Sequence, residues 1–249
     1  MRISRPPAFA FLLFLALACN RPAHITQIGY GYTQLSAPAS DSATAAIIAP
    51  YKEKHDREMN EIIGRTDKAM PKERDQLETL LGNFVADVCL EKANALVSRA
   101  DMCVLNNGGL RSSLPKGEIS RGKIFELMPF ENEIVVLTLS GEKMQALLNY
   151  IAAAGGVPVA GIKMGVKGRA PGKALIQGQP FDPQKNYRVA TSDYLANGGD
   201  RMSFFAAPIA IEYTGSKIRD ALIEHFKVQT KKGATVTSSL DGRLHHETE

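Results

Sequence analysis

Three cysteines and five histidines are few for a chain of 249 residues, and their placement removes several chemistries. Cys89 and Cys103 have no histidine close to them in sequence, which argues against a zinc site of ordinary ligand spacing. No Gly-x-Ser-x-Gly elbow, no phosphate-binding P-loop and no His-Glu-x-x-His string occurs. The usual signatures of serine-hydrolase, NTPase and zinc-protease centres are therefore missing. Charge of one sign is also scarce: 30 basic residues face 26 acidic ones. With no lysine-rich stripe interleaved with aromatics, a nucleic-acid groove is not expected. No internal repeat is visible.

The longest apolar run, residues 8–18, follows Arg2 and Arg5 and is too short to cross a bilayer as a helix. A charged start, a short apolar centre and small residues before Cys19 form a secretory signal over residues 1–18. Ala16-Leu17-Ala18 fits ordinary cleavage. Leu17-Ala18-Cys19 resembles a bacterial lipoprotein box, although Leu15 stands one position early for that pattern. The polar stretch after Cys19 favours lipidation there, which predicts a periplasmic or outer-membrane lipoprotein held to the membrane by its acyl chains alone. Removing Arg2 and Arg5 leaves 28 basic residues against the 26 acidic ones. Cys89 and Cys103 lie in apolar runs and read equally as a disulfide of an oxidising compartment or as two buried thiols.

Residues 19–40 read as a tether, 41–228 as one domain and 229–249 as a loose polar tail in which His245 and His246 are solvated. Ser42 starts a helix running to Ile63, with Gly64 as its stop. Leu77, Leu80, Leu81, Phe84, Val85 and Val88 recur with helical spacing, and their shared face belongs to the core. Residues 102–105 read as a short buried strand. Ser120 begins a helix ended by Pro129. Residues 134–139 form a β-branched strand, Ser140 opens a helix broken by Gly155 and Gly156, and residues 157–179 suit hairpins. Residues 187–191 form another strand, and Ser216 caps a last helix. Helices and strands mix without a regular βαβ beat, so the fold class is α+β, a mixed sheet with helices packed on it.

Two loops carry the chemistry. Asn106, Asn107, Gly108, Gly109, Leu110 and Arg111 follow the first strand. Tyr194, Leu195, Ala196, Asn197, Gly198, Gly199 and Asp200 follow the strand at 187–191. Asn-Gly-Gly alone is ordinary turn chemistry. Each loop, however, adds a charge that the turn does not need. Glycine pairs admit positive φ and close approach of a ligand to the main chain. Arg111 suits a phosphate or carboxylate, and Asp200 suits vicinal hydroxyls or amides. Tyr194, at the edge of such a loop, is expected to be exposed. Phe130, following a proline, reads equally as a core anchor or as a ring facing a ligand.

Asn-Asn-Gly-Gly-Leu-Arg at 106–111, Leu-Met-Pro-Phe-Glu-Asn at 127–132 and Asp-Tyr-Leu-Ala-Asn-Gly-Gly-Asp at 193–200 occur in that order. Together they resemble the C-terminal, substrate-binding domain of the 5′-nucleotidase and 2′,3′-cyclic phosphodiesterase family. The resemblance extends over residues 45–227. It implies that Phe130 and Tyr194 sandwich a base, a contact that tolerates different bases. It further implies that Asn132 meets the base edge, Asn106 helps fix sugar or base, Asp200 takes the ribose hydroxyls and Arg111 the phosphate side. Asn107, Gly108, Gly109, Asn197, Gly198 and Gly199 then shape the loops.

Family members carry a metallophosphatase domain with Asp-x-His, Gly-Asn-His-Asp/Glu and Gly-His-x-His strings, and none of these strings is present. The expectation is a nucleotide- or nucleoside-recognition domain with no catalytic or metal-binding residue and no cofactor of its own. It would serve nucleotide catabolism beside a separate metallophosphatase chain that holds divalent metals. A non-catalytic nucleoside- or nucleotide-sugar-binding lipoprotein is the alternative. Two departures weaken the phosphate side. Gln76 and Leu77 stand where an arginine is common, with Arg74 off register. Glu131 replaces a frequent glycine and is expected to place bulk and negative charge near an anionic ligand.

Overall fold

The computed structural model describes residues 29–33, 41–73 and 75–247. The expectations for the signal, Cys19 and Arg74 lie outside these residues. The chain divides into two units, residues 1–47 and 48–249. In the first, the described residues are an exposed stretch at 29–33 and the opening of α1 (Ser42–Met59). The second contains every other element. No helix among the described residues is long and apolar enough to cross a membrane.

After α1 come β1 (Ile62–Thr66), α2 (Leu80–Leu96), β2 (Met102–Val104), β3 (Gly117–Ser120), α3 (Arg121–Leu127), β4 (Glu133–Leu139) and α4 (Gly141–Ala153). Then follow β5 (Val159–Ala160), β6 (Ile162–Lys167), β7 (Ala170–Ile176), β8 (Gln179–Pro180) and β9 (Tyr187–Ser192). A single turn, α5 (Asp193–Ala196), leads on to β10 (Ala210–Lys217), α6 (Ile218–Lys231) and β11 (Leu244–His246). Hydroxyl caps set several helix starts: Thr79 accepts from Gly82 N, Ser120 from Lys123 N and Ser140 from Lys143 N.

The central sheet has the order β10-β4-β9-β2-β5, and β2 and β9 run parallel in its middle. β2 and β4 read as continuous apolar runs because both of their faces are covered, whereas the edge strand β10 is largely exposed. Ile134 and Val136 of β4 join a cluster with Phe84, Val85 and Val88 of α2 and Leu222 and Phe226 of α6. The intervening Val135, Leu137 and Leu139 join Met144, Leu147 and Leu148 of α4 and Met164 and Ile176 of the second sheet. That second sheet has the order β11-β6-β7-β8, while β1 and β3 form a separate ribbon. The α+β class with mixed sheets holds.

Several local expectations change. Leu77 precedes α2, which starts at Leu80 behind the Thr79 cap, and it packs with the α4 side of the core rather than with Phe84 and Val88. The first helix stops at Met59, and Ile62, Ile63 and Gly64 begin a strand. Gly64 is needed for close approach to α6, since a Cβ there would stand 2.8 Å from Thr230 Oγ1 and 2.9 Å from Phe226 Cδ1. Ser216 caps nothing; it belongs to β10, an edge strand absent from the periodicity reading.

The tail is not loose. Val236 bridges to Thr66, and β11 pairs in parallel with β6. Arg243 binds both carboxylate oxygens of Asp87, at 2.7 and 3.0 Å, and the carbonyl of Val159 at 2.8 Å. Burial works against this guanidinium, but bonds to Asp241 and Asp87 outweigh it and raise its pKa. A polar composition therefore concealed a packed element, because its polar groups are spent on ion pairs. His245 likewise bonds the Gly242 carbonyl at 3.1 Å rather than standing free in water. Cys89 and Cys103 are both buried free thiols, and burial pushes the Cys103 pKa well up.

Candidate functional site

The sheet topology brings three loops together. Parallel pairing of Met102 with Val189 and Cys103 with Ala190 makes β2 and β9 end at the same edge of the sheet. β4 is antiparallel to β9, with Ile134 opposite Ser192, so β4 begins where β9 ends. The loop after β2, the loop after β9 and the lead into β4 therefore emerge side by side, outside the carboxyl ends of the parallel strands. They bound a cleft of about 370 Å³. Asn106, Gly108, Gly109 and Arg111 come from the first loop, Tyr194 and Asp200 from the second, and Phe130 and Asn132 from the third.

The first loop makes one 3-10 turn over Asn107–Gly109. A Cβ on Gly109 would meet Asn106 Oδ1 at 2.8 Å, so glycine lets the Asn106 side chain fold over the turn. Asn107 Nδ2 donates to the Gly156 carbonyl at 3.1 Å, tying this loop to the break after α4. Arg111 Nη1 donates to the Gly108 carbonyl at 3.3 Å, and its Cζ stands 5.9 Å from the Phe130 ring centroid.

In the second loop, Ser192 accepts from Leu195 N and Asn197 Nδ2 donates to the Asp193 carbonyl at 2.9 Å. Gly198 takes φ 87°, but the next left-handed residues are Asp200 (φ 51°) and Arg201 (φ 64°) rather than glycines. Such backbone needs support from its surroundings, and three bonds provide it. Tyr194 Oη donates to Asp200 Oδ1 at 2.9 Å, Asn106 Nδ2 donates to Oδ2 at 2.6 Å, and Tyr150 Oη donates to the Asp200 carbonyl at 3.2 Å. Burial first, then the charge of Asp200, raises the pKa of Tyr150 and keeps it a donor. Asp200 thus links the two Asn-Gly-Gly loops. An ionised carboxylate has about four lone-pair sites, so about two remain for a diol. Gly199 serves space: a Cβ there would meet the Tyr194 ring at 2.5 Å.

Phe130 is 39% exposed and Tyr194 47% exposed. Neither ring is consumed by the core. The expectation that Glu131 confronts the ligand is corrected: its carboxylate pairs with Lys217 and Arg219. Hydrogen bonds from Arg219 and then Lys217 hold its pKa at about 2. Its charge is matched by two cations and directed at the β10–α6 junction.

Arg111 and Gly108 also wall a second cleft of about 530 Å³, with Gln76, Leu77, Asn107, Gly156, Arg169 and His246 among its lining. Asn107 lines this second cleft and not the first. Asn197, Gly198 and Gly199 line neither cleft and set the path of their loop. Sequence reasoning missed Tyr150, Lys217 and Arg219, which lie on helix or strand positions with no motif to mark them. Among the described residues no group of three or more His, Cys, Asp or Glu side chains is arranged to hold a metal ion.

Residues 62–207 match the family described as 5′-nucleotidase, C-terminal domain. The chain belongs to this family. It is 32% identical over 204 residues to the trifunctional nucleotide phosphoesterase protein YfkN of Bacillus subtilis, covering 74% of this chain and 14% of that protein. Against protein UshA of Escherichia coli the identity is 26% over 170 residues, covering 65% of this chain and 30% of that one. The chain therefore spans under a third of the length of these curated relatives. A 5′-nucleotidase precursor from Thermus thermophilus superposes with a TM-score of 0.69 at 26% identity, over 83% of this chain and 43% of the other. The NAD nucleotidase of Haemophilus influenzae, at 21% identity and a TM-score of 0.63, shares the fold.

Proposed function

We propose that this 5′-nucleotidase C-terminal domain is the nucleotide- or nucleoside-recognition part of a split hydrolase, gripping base and ribose while a separate metallophosphatase chain supplies the divalent metals. One observation carries the reading. The cleft joins two half-exposed rings, Phe130 and Tyr194, with Asn132, Asn106, the Asp200 carboxylate and Arg111. Two rings supply stacking faces for a base, a carboxylate with spare lone pairs accepts from ribose hydroxyls, and a guanidinium suits a phosphate. The chain's contribution to catalysis is then positioning, which removes orientational freedom from the reacting phosphate. When bound, the partner's metals would polarise the phosphoryl oxygen and supply hydroxide. A secretory leader over residues 1–18 followed by Cys19 supports a periplasmic or outer-membrane lipoprotein as part of this reading.

Gln76 and Leu77, lining the second cleft where the family often has an arginine, favour one alternative: a scavenging lipoprotein that binds nucleosides or nucleotide sugars without hydrolysis. Calorimetry with adenosine and AMP separates the two. Clear preference for the monophosphate, with phosphate release on mixing with a metallophosphatase lacking this domain, supports the split hydrolase. Equal affinities and no gain on mixing support the scavenger. Phosphate release from AMP by this chain alone with added divalent metal contradicts both.

A further inference from the structure

We infer that Arg219 is a positioning residue that holds Phe130 at the cleft through the backbone of its loop, without touching the ligand. The inference rests on the reading that Phe130 stacks on a base. Packing restrains Phe130 only in part, because the residue is 39% exposed. What lies beneath it is unusual: Arg219 is 6% exposed, with its guanidinium 4.2 Å from the Phe125 ring centroid. Nη1 donates to the Phe130 carbonyl at 3.4 Å, and Nη2 pairs with the Glu131 carboxylate. Nε is buried with no partner among the described residues.

A buried cation with one unsatisfied N–H is an expensive way to fill space, and an apolar side chain would fill it more cheaply. Stability alone does not account for it. Geometry does, because Arg219 fixes the carbonyl of the ring-bearing residue and the side chain of the next one. Ile218 N donates to the Asn132 carbonyl at 3.0 Å, securing the far end of the same three-residue segment. Lys217, opposite Glu133 in the β10–β4 ladder, adds a second cation to Glu131. The β10–α6 junction therefore grips residues 130–132 from below, and an exposed ring starts out near its binding position. Preordering of this kind raises affinity by reducing what binding must immobilise.

The test is a cycle on the full chain, with adenosine affinity by calorimetry and melting temperature measured on each variant. Arg219→Met keeps apolar volume and removes both donors; adenosine affinity should fall about two- to tenfold. In the Phe130→Ala background the same change should cost nothing further, because the group it positions is gone. A purely structural role would lower melting temperature in both backgrounds and affinity in neither. Wild-type affinity in Arg219→Met, or losses that multiply in the double variant, overturns the inference. Should Arg219→Met not fold, Glu131→Gln serves in the same cycle, with a smaller loss expected only where Phe130 is present. An equal loss in both backgrounds, or none in either, overturns it. Unaltered affinity in Phe130→Ala itself removes the stacking reading and this inference together. Weakened Phe130→Ala beside wild-type Arg219→Met removes the inference alone.

Discussion

Truncating the two rings of the cleft separates a ligand-facing role from a structural one. Stacking on an aromatic face is worth ~1–3 kcal/mol per base, and ~1.4 kcal/mol is tenfold in affinity. Phe130→Ala should therefore weaken adenosine binding roughly five- to 150-fold. The stability cost follows from exposure. Complete burial of a phenylalanine side chain is worth roughly 1.5–3 kcal/mol, and Phe130 is 39% exposed, so about 1–2 kcal/mol is at stake. For a chain of this size that lowers the melting temperature by roughly 2–8 °C. The Arg111 contact at 5.9 Å lies at the outer limit of a cation–π interaction and adds little. Tyr194→Ala should cost at least as much affinity, because it also removes a hydrogen bond to Asp200. Losses should be similar for nucleoside and monophosphate, since rings that clasp the base touch neither sugar nor phosphate. Calorimetry at a temperature where both variants are folded reads the affinity, and a thermal melt reads stability. Wild-type affinity in both variants, whatever their melting temperatures, refutes the sandwich.

Gly199→Ala places a Cβ 2.5 Å from the Tyr194 ring and should displace it, bringing adenosine affinity close to that of Tyr194→Ala with little change in melting temperature; unaltered affinity contradicts this. Arg243→Ala removes charge-assisted bonds to Asp87 and Asp241 worth about 2 kcal/mol together, once their partly exposed carboxylates are rehydrated. Hydrogen exchange should then show residues 236–247 opening first, and uniform protection would disprove the tie. Burial lowers the pKa of His225 from 6.5 against the pull of Glu91. The unfolded chain then takes up the proton more readily, so stability is complete above about pH 6.5 and falls as pH drops below it. His225→Gln should flatten melting temperature between pH 7 and 5, where Glu131, held at about 2, stays ionised; an unchanged slope assigns it elsewhere.

Local chemistry made much of this protein legible without a structure. The helical spacing from Leu80 to Val88, the hydroxyls of Ser120 and Ser140 and the double glycine after α4 act within one or two turns of chain, so the sequence alone specifies them. The two Asn-Gly-Gly loops were also visible, because turn chemistry is local and Arg111 and Asp200 exceed what a turn needs. Three things were decided elsewhere. Gly64 reads locally as a helix stop, yet its lack of a Cβ serves contact with Phe226 and Thr230, more than 160 residues away. The polar tail reads as loose because ion pairing with Asp87 has no periodic signature. Glu131 reads as a charge aimed at the ligand, and only the antiparallel register of β10 and β4 delivers Lys217 and Arg219 to neutralise it. The convergence of the three loops belongs to the same class. Sequence named the side chains at 106–111, 130–132 and 194–200, whereas parallel pairing of β2 with β9 and the reversed direction of β4 put them on one edge of one sheet. Strand direction and register arise from contacts between residues distant in sequence, where the free energy depends on how whole faces fit rather than on any residue's own preference.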